Sequence, residues 1–123
     1  MLILLVEDSE EVSCIALEYL SELGHQPVAV SDAERALAQL TAKTFDAVLT
    51  DVTLPGMSGI DLARQLQKSH PHLPVILSSG YGASTIEALL GTELKTVLLL
   101  PKPYDFPALE STLAKAAAIA RRP

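Results

Sequence analysis

The sequence predicts an open, doubly wound α/β domain, and three observations carry that prediction. Short aliphatic runs have the length of strands, stretches of helical period lie between them, and polar residues close the runs. Leu2 to Val6 reads as a strand buried on both faces, ending abruptly at Glu7-Asp8. Val12, Ile15, Ala16, Tyr19, Leu20 and Leu23 then recur at helical spacing, with Ser9 as N-cap and Gly24 where a left-handed C-terminal residue belongs. Pro27 to Val30 is a second strand. Ser31-Asp32-Ala33-Glu34 has capping-box spacing ahead of a second helix carrying Ala36, Leu37 and Leu40.

Phe45 to Thr50 forms the third strand, closed by Asp51, and the breaker-rich Leu54-Pro55-Gly56-Met57-Ser58-Gly59 is a loop. Ile60, Leu62, Ala63 and Leu66 mark a third helix that stops near His70-Pro71. Val75 to Leu77 is a fourth strand, left through Ser78-Ser79-Gly80, and a fourth helix lies around Ser84 to Leu90. Thr96 to Leu100 is the fifth strand and Asp105 to Arg121 the final helix. Five strands alternating with five helices suit a parallel sheet covered on both faces, with right-handed crossovers. A closed barrel needs eight such units and is excluded.

The 123 residues set the expectation of one domain, 1–123. Hydrophobic residues make up 49% of the chain and aromatics 4%, so Leu, Val, Ile and Ala must build the core and disorder is excluded. Nine Lys and Arg face fifteen Asp and Glu, a net charge of −6 that opposes nucleic-acid binding by this domain and favours cationic partners. Met1 to Val6 is too short for a membrane span and no basic region precedes it, so the expectation is a soluble, cytoplasmic protein without membrane contact. The lone Cys14 cannot form an internal disulfide, suits a reducing compartment, and is expected to pack in the first helix.

In open α/β sheets, functional groups collect beyond the carboxyl ends of the strands. Glu7-Asp8, Asp51, Ser79 and Lys102 occupy those ends. Together with Val6-Glu7-Asp8, Asp51, Pro55-Gly56-Met57-Ser58-Gly59, Ser79-Gly80 and Lys102-Pro103, in order over Leu2 to about Ala120, the chain resembles the receiver domains of two-component response regulators, including those of hybrid histidine kinases. The resemblance implies a flavodoxin-like sheet of order 2-1-3-4-5. That order makes strands one and three neighbours and gathers the three carboxylates at one edge, where a hard divalent cation and the Lys102 ammonium would compensate their charge.

The resemblance further implies a phosphorelay function. Asp51 would accept a phosphoryl group from a phosphohistidine on a histidine kinase or phosphotransfer protein, in a Mg²⁺-dependent reaction that changes affinity for a downstream protein partner. Asp8 and Asp51 would hold the metal directly, Glu7 through water, and Thr53 through its backbone carbonyl. Lys102 and the Ser79 hydroxyl would each contact a phosphoryl oxygen, and the Lys102-Pro103 bond would be cis. Such a domain catalyses its own phosphorylation and dephosphorylation and is not an enzyme acting on foreign substrates.

The chain departs from the family pattern at three positions. Glu7 stands where Asp is commoner, Ser79 where Thr is frequent with Ser78 beside it, and Leu99 where the switch aromatic normally lies. Without that aromatic, output would rest on backbone movement after the fourth strand, read through the fourth helix, fifth strand and final helix. Tyr81 and Thr53 match positions that tune acyl-phosphate lifetime in the family.

Rival classes fail on their motifs. Neither Gly-x-Gly-x-x-Gly nor Gly-Lys-Ser/Thr occurs, and Gly56-Met57-Ser58-Gly59-Ile60 lacks the last glycine of a hydrolase elbow. An aspartyl phosphatase would want a carboxylate where Thr53 stands. His70-Pro71-His72 reads as a solvated loop, and Glu10 and Glu11 as the exposed first turn of the first helix. The remaining alternative is a receiver-like interaction module that works without phosphorylation.

Overall fold

Continuous aliphatic stretches form the buried middle of the sheet. In the computed structural model, which describes residues 1–80 and 96–120, the strands are β1 (Leu2–Val6), β2 (Gln26–Val30), β3 (Ala47–Asp51), β4 (Val75–Ser79) and β5 (Val97–Pro101). The described helices are α1 (Glu10–Glu22), α2 (Ala33–Ala42), α3 (Gly59–Ser69) and α4 (Phe106–Ala120). All strand pairs are parallel, in the order β2-β1-β3-β4-β5. The expected fold is therefore the observed one. The fourth helix placed around Ser84 to Leu90, and Tyr81, lie outside the described residues.

Alternation along the strands divides the core between the two faces of the sheet. Leu4, Val6, Val48, Val75 and Leu77 meet Ala36 and Leu40 of α2 and Leu62, Ala63 and Leu66 of α3. On the other face Ile3, Leu5, Leu49, Ile76 and Leu100 meet Ala16 and Leu20 of α1 and Leu109, Leu113 and Ala116 of α4. Each fully buried aliphatic side chain stabilises the fold by about 1.5–3 kcal/mol. Register carries one row straight across the sheet, Leu5 to Leu49 to Ile76 to Leu98. Two residues further along, Asp51, Ser78 and Leu100 form the next row, at the carboxyl edge.

Local capping fixes the helix starts, in part differently from the sequence reading. The Ser9 hydroxyl accepts from Val12 N, and Glu10 and Glu11 are exposed in the first turn, as expected. Gly24, at φ 84°, supplies the left-handed residue after α1. The N-cap of α2 is Asp32, accepting from Arg35 N at 2.8 Å, and Ser31 instead accepts from the Arg35 guanidinium at 3.0 Å. A carboxylate outcompetes a hydroxyl for this role because it adds charge at the positive end of the helix. Ser58, read as loop, caps α3 by accepting from Asp61 N, and Asp105 accepts from Ala108 N at the start of α4.

Two further expectations are corrected. Cys14 is exposed instead of packed, and Ile15 is 49% exposed. The buried line of α1 runs through Ala16 and Leu20, and at 3.6 residues per turn Cys14 points about 200° away from Ala16. Ser78 and Ser79 belong to β4, and both are buried. No helix among the described residues is long and apolar enough to cross a membrane.

Gly59 is the first residue of α3 and makes a close backbone approach near the carboxyl edge. A Cβ there would lie 2.0 Å from the carbonyl oxygen of Asp51, while Gly59 N donates to Val52 O at 2.8 Å. Alanine in a helix is ordinarily favoured over glycine by roughly 0.5–1 kcal/mol; at this position the sign reverses. Gly59→Ala is expected to destabilise by about 1–3 kcal/mol, as overpacking against fixed backbone does. Chemical denaturation checks this: a Gly59→Ala protein as stable as wild type would show that α3 can retreat from β3 at no cost.

Candidate functional site

Strand order reverses at β1, whose neighbours β2 and β3 leave in opposite directions, so a crevice opens beyond the carboxyl ends of β1 and β3. Glu7 follows β1 directly, anchored by its own N–H donating to Val30 O at 3.0 Å. Asp51 is the last residue of β3, and Lys102 follows β5. The chain ends of β3, β4 and β5 are tied to one another by backbone bonds, Val52 N to Ser78 O at 3.0 Å and Lys102 N to Ser79 O at 2.7 Å. Lys102-Pro103 is cis, as expected.

The structure brings Glu7, Asp8, Asp51 and Lys102 together. One carboxylate oxygen from each of Glu7, Asp8 and Asp51 lies within 4.8 Å of the others. Lys102 Nζ donates to Glu7 Oε1 at 2.8 Å and stands 3.3 Å from Asp51 Oδ2. The second oxygen of Glu7 accepts from Ser9 N at 3.2 Å, so this carboxylate is held at both ends. Asp51 Oδ1 accepts from Thr53 N at 3.3 Å, which puts the Thr53 backbone against the site while its side chain is exposed. Asp8 is exposed and faces solvent at the rim. Ser79 is buried at the end of β4, next to Gly80.

Burial and charge act on these groups in opposite senses. Burial pushes the Glu7 carboxyl above the ordinary carboxylate range, although the bonds from Lys102 and Ser9 N pull it down; the nearby Asp51 charge adds to the rise. Burial also opposes the Lys102 ammonium, but its bond to Glu7 and the charge of Asp51 outweigh this and lift it above its usual value. Three carboxylates against one ammonium leave excess negative charge at the crevice. An all-oxygen, partly open donor set with that excess suits a hard divalent cation, and among the described residues this is the one group of three side chains so placed.

Two features escaped the sequence reading. Tyr104 is half-buried beside the site, its hydroxyl pushed up to about 12 by burial and by the charges of Glu7, Tyr19 and Asp51. It lines an apolar hollow of about 440 Å³ with Val12, Ile15, Gly80, Lys102 and Pro103. The Tyr104 position, two residues after Lys102, was the available signal. Ser78 Oγ is buried without a hydrogen-bond partner among the described residues, which no sequence pattern reveals. Leu99, where an aromatic was missed, is half-buried against the α2 and α3 face. His70 and His72 border a separate cavity of about 280 Å³ at the opposite end of the sheet and do not join the site.

Comparison with known proteins matches residues 3–114 to the response regulator receiver domain. Response regulator protein FleR of Pseudomonas aeruginosa is 37% identical over 115 residues, covering 92% of this chain and 24% of that protein. Transcriptional regulatory protein CpxR of Klebsiella pneumoniae is 37% identical over 120 residues, covering 98% of this chain and 49% of that protein. The chain thus spans a quarter to a half of the length of these relatives. Among solved structures, the signal receiver domain of an HD domain-containing protein from Pseudomonas fluorescens superposes with a TM-score of 0.88 at 28% identity, over 97% of this chain and 88% of that one. With the parallel sheet of order β2-β1-β3-β4-β5 and the acidic crevice at its carboxyl edge, the chain belongs to the response regulator receiver domain family.

Proposed function

We propose that this domain accepts a phosphoryl group on Asp51 in a Mg²⁺-dependent reaction and passes the change to a protein partner. The observation that supports this most directly is the position of Asp51, which stands 3.3 Å from the Lys102 ammonium and has a carboxylate oxygen within 4.8 Å of oxygens of the other two carboxylates. Glu7 is already held by Lys102 and Ser9 N, and Asp8 stands at the rim, so Asp51 is the carboxylate with a cation beside it and long, weak contacts to spare.

In the transfer, an Asp51 oxygen forms a P–O bond while the P–N bond of a donor phosphohistidine breaks. The electron pair of that bond returns to the donor imidazole, on a histidine kinase or a phosphotransfer protein. Positioning and charge stabilisation carry such reactions. Lys102 exchanges its contact with Asp51 for a phosphoryl oxygen, and the Ser79 hydroxyl donates to another. Asp8 and Asp51 would hold Mg²⁺ directly, Glu7 through water and Thr53 through its carbonyl, and the ion, when bound, neutralises charge on the transferring group. A cleft of about 420 Å³ lined in part by Glu7 and Asp8 opens beside the site, between α1 and the end of β2.

With Leu99 in the place of a switch aromatic, the change is carried by the backbone joined to Ser79 and Lys102, whose mutual bond links the ends of β4 and β5. The downstream partner is a protein that reads that edge. The reducing cytoplasm is the compartment that a solitary thiol such as Cys14 suits.

Incubation with acetyl phosphate and Mg²⁺ is expected to add one phosphoryl mass to wild type and none to Asp51→Asn, read by intact mass; equal modification of both proteins rejects the assignment. Metal binding, followed by calorimetry, supplies a second check. Asp8→Ala should weaken Mg²⁺ binding on the order of tenfold or more, and Glu7→Gln by less; the reverse ranking rejects the ligand roles. Metal ligands bind ionised, and burial holds Glu7 above the ordinary range. Mg²⁺ affinity of wild type will therefore decline as pH falls through that raised value, and Glu7→Gln will give a flatter profile over the same interval. A profile unchanged by Glu7→Gln would separate Glu7 from the metal site.

A further inference from the structure

Two hydroxyls stand at the end of β4, and the mechanism above uses only that of Ser79. Ser78 is 3% exposed, and its Oγ has no hydrogen-bond partner among the described residues. Buried hydroxyls are ordinarily paired, so an orphan beside a reactive group calls for a physical account. Register pairs Asp51 with Ser78 and Ser78 with Leu100. Alternation puts all three side chains on the face that carries Leu49, Ile76 and Leu98. The Ser78 side chain is thus the cross-strand neighbour of Asp51, on a strand about 4.8 Å away across the sheet. A serine rotor and an aspartate carboxylate bridge that interval by a change of χ1 well.

Asp51 has the capacity to accept. Its two oxygens offer about four lone-pair sites. The contacts they receive, from Thr53 N and from Lys102 Nζ, are both long at 3.3 Å. One of these contacts is lost when Lys102 turns to a phosphoryl oxygen. Backbone bonds hold the pair in register, Ser78 O accepting from Val52 N at 3.0 Å and Ser79 O from Lys102 N at 2.7 Å.

We propose that Ser78 is a further catalytic residue, its hydroxyl donating to the Asp51 oxygen that leaves phosphorus when the acyl phosphate hydrolyses. The proposal rests on Asp51 being the phosphoacceptor. In the hydrolysis a water oxygen forms the new bond to phosphorus and the P–O bond to Asp51 breaks. The electron pair of that bond returns to Asp51 as carboxylate, a water proton passes to solvent, and inorganic phosphate departs. Negative charge grows on the Asp51 oxygen throughout, and hydrogen bonds strengthen as their acceptor becomes charged. The donor therefore stabilises the transition state more than it stabilises the acyl phosphate, which is the condition for accelerating the step.

The test phosphorylates wild type, Ser78→Ala and Ser78→Thr with acetyl phosphate and Mg²⁺, removes the donor by rapid desalting, and follows loss of the acyl phosphate by intact mass. Ser78→Ala is expected to dephosphorylate about fivefold more slowly, the factor one ordinary hydrogen bond represents. Ser78→Thr, which keeps the hydroxyl, should stay within about twofold of wild type on the same reasoning. Affinity for beryllofluoride, which occupies the site without a leaving step, should be alike in all three, and the melting temperature of Ser78→Ala should not fall, because no bond is removed. Equal or faster decay in Ser78→Ala overturns the proposal. So does a Thr variant as slow as the Ala variant, or a beryllofluoride affinity that falls in parallel with the decay rate. Uptake on Asp51 with decay independent of Ser78 defeats this inference alone, whereas no uptake by wild type defeats it together with the phosphoacceptor assignment.

Discussion

The ion pair between Lys102 and Glu7 is the interaction around which this site is organised. A carboxylate as buried as Glu7, at 7% exposure, is costly unless it is paired and its remaining lone pairs are satisfied. Lys102 meets the first requirement at 2.8 Å and Ser9 N the second at 3.2 Å. The same ammonium faces Asp51, so a single cation balances two anions drawn from strands distant in sequence. That shortage of positive charge leaves an excess of negative charge in the crevice, a setting that suits a hard divalent cation.

Backbone geometry keeps the shortage in place. The carbonyls of Ser78 and Ser79 hold the segments after β3 and β5, while Gly59 lets α3 begin in contact with the Asp51 carbonyl. Helix capping contributes at the same edge. Ser9 starts α1 with its hydroxyl and also steadies Glu7 with its backbone N–H, so one residue joins the local fold of a helix to the orientation of a site side chain. Site and scaffold are built from the same bonds, so the backbone at the carboxyl edge and the side chains of the site are tied to one another.

Much of this was legible in the chain. Runs such as Leu2 to Val6 and the 3.6-residue spacing of Ala16 and Leu20 report burial that local geometry alone requires, and polar strand ends marked Glu7, Asp8, Asp51 and Lys102 before any coordinates. Less legible were details decided by competition between near neighbours. Asp32 took the cap that Ser31 also offered, Cys14 fell on the solvent side of a helix whose apolar arc is narrow, and β4 continued through two serines that read as a turn. In each case the outcomes lay one or two residues apart, an interval that propensity does not resolve.

Periodicity, capping chemistry and the placement of acids after apolar runs were determined by the sequence itself, because they depend on interactions within a few residues. Tertiary structure alone decided that residues 7, 51 and 102 share one crevice, that Lys102 divides its charge between two carboxylates, and that Ser78 Oγ, in the row beside Asp51, finds no hydrogen-bond partner among the described residues. The reason is that strand order and register set those distances, and both are properties of the packed sheet as a whole.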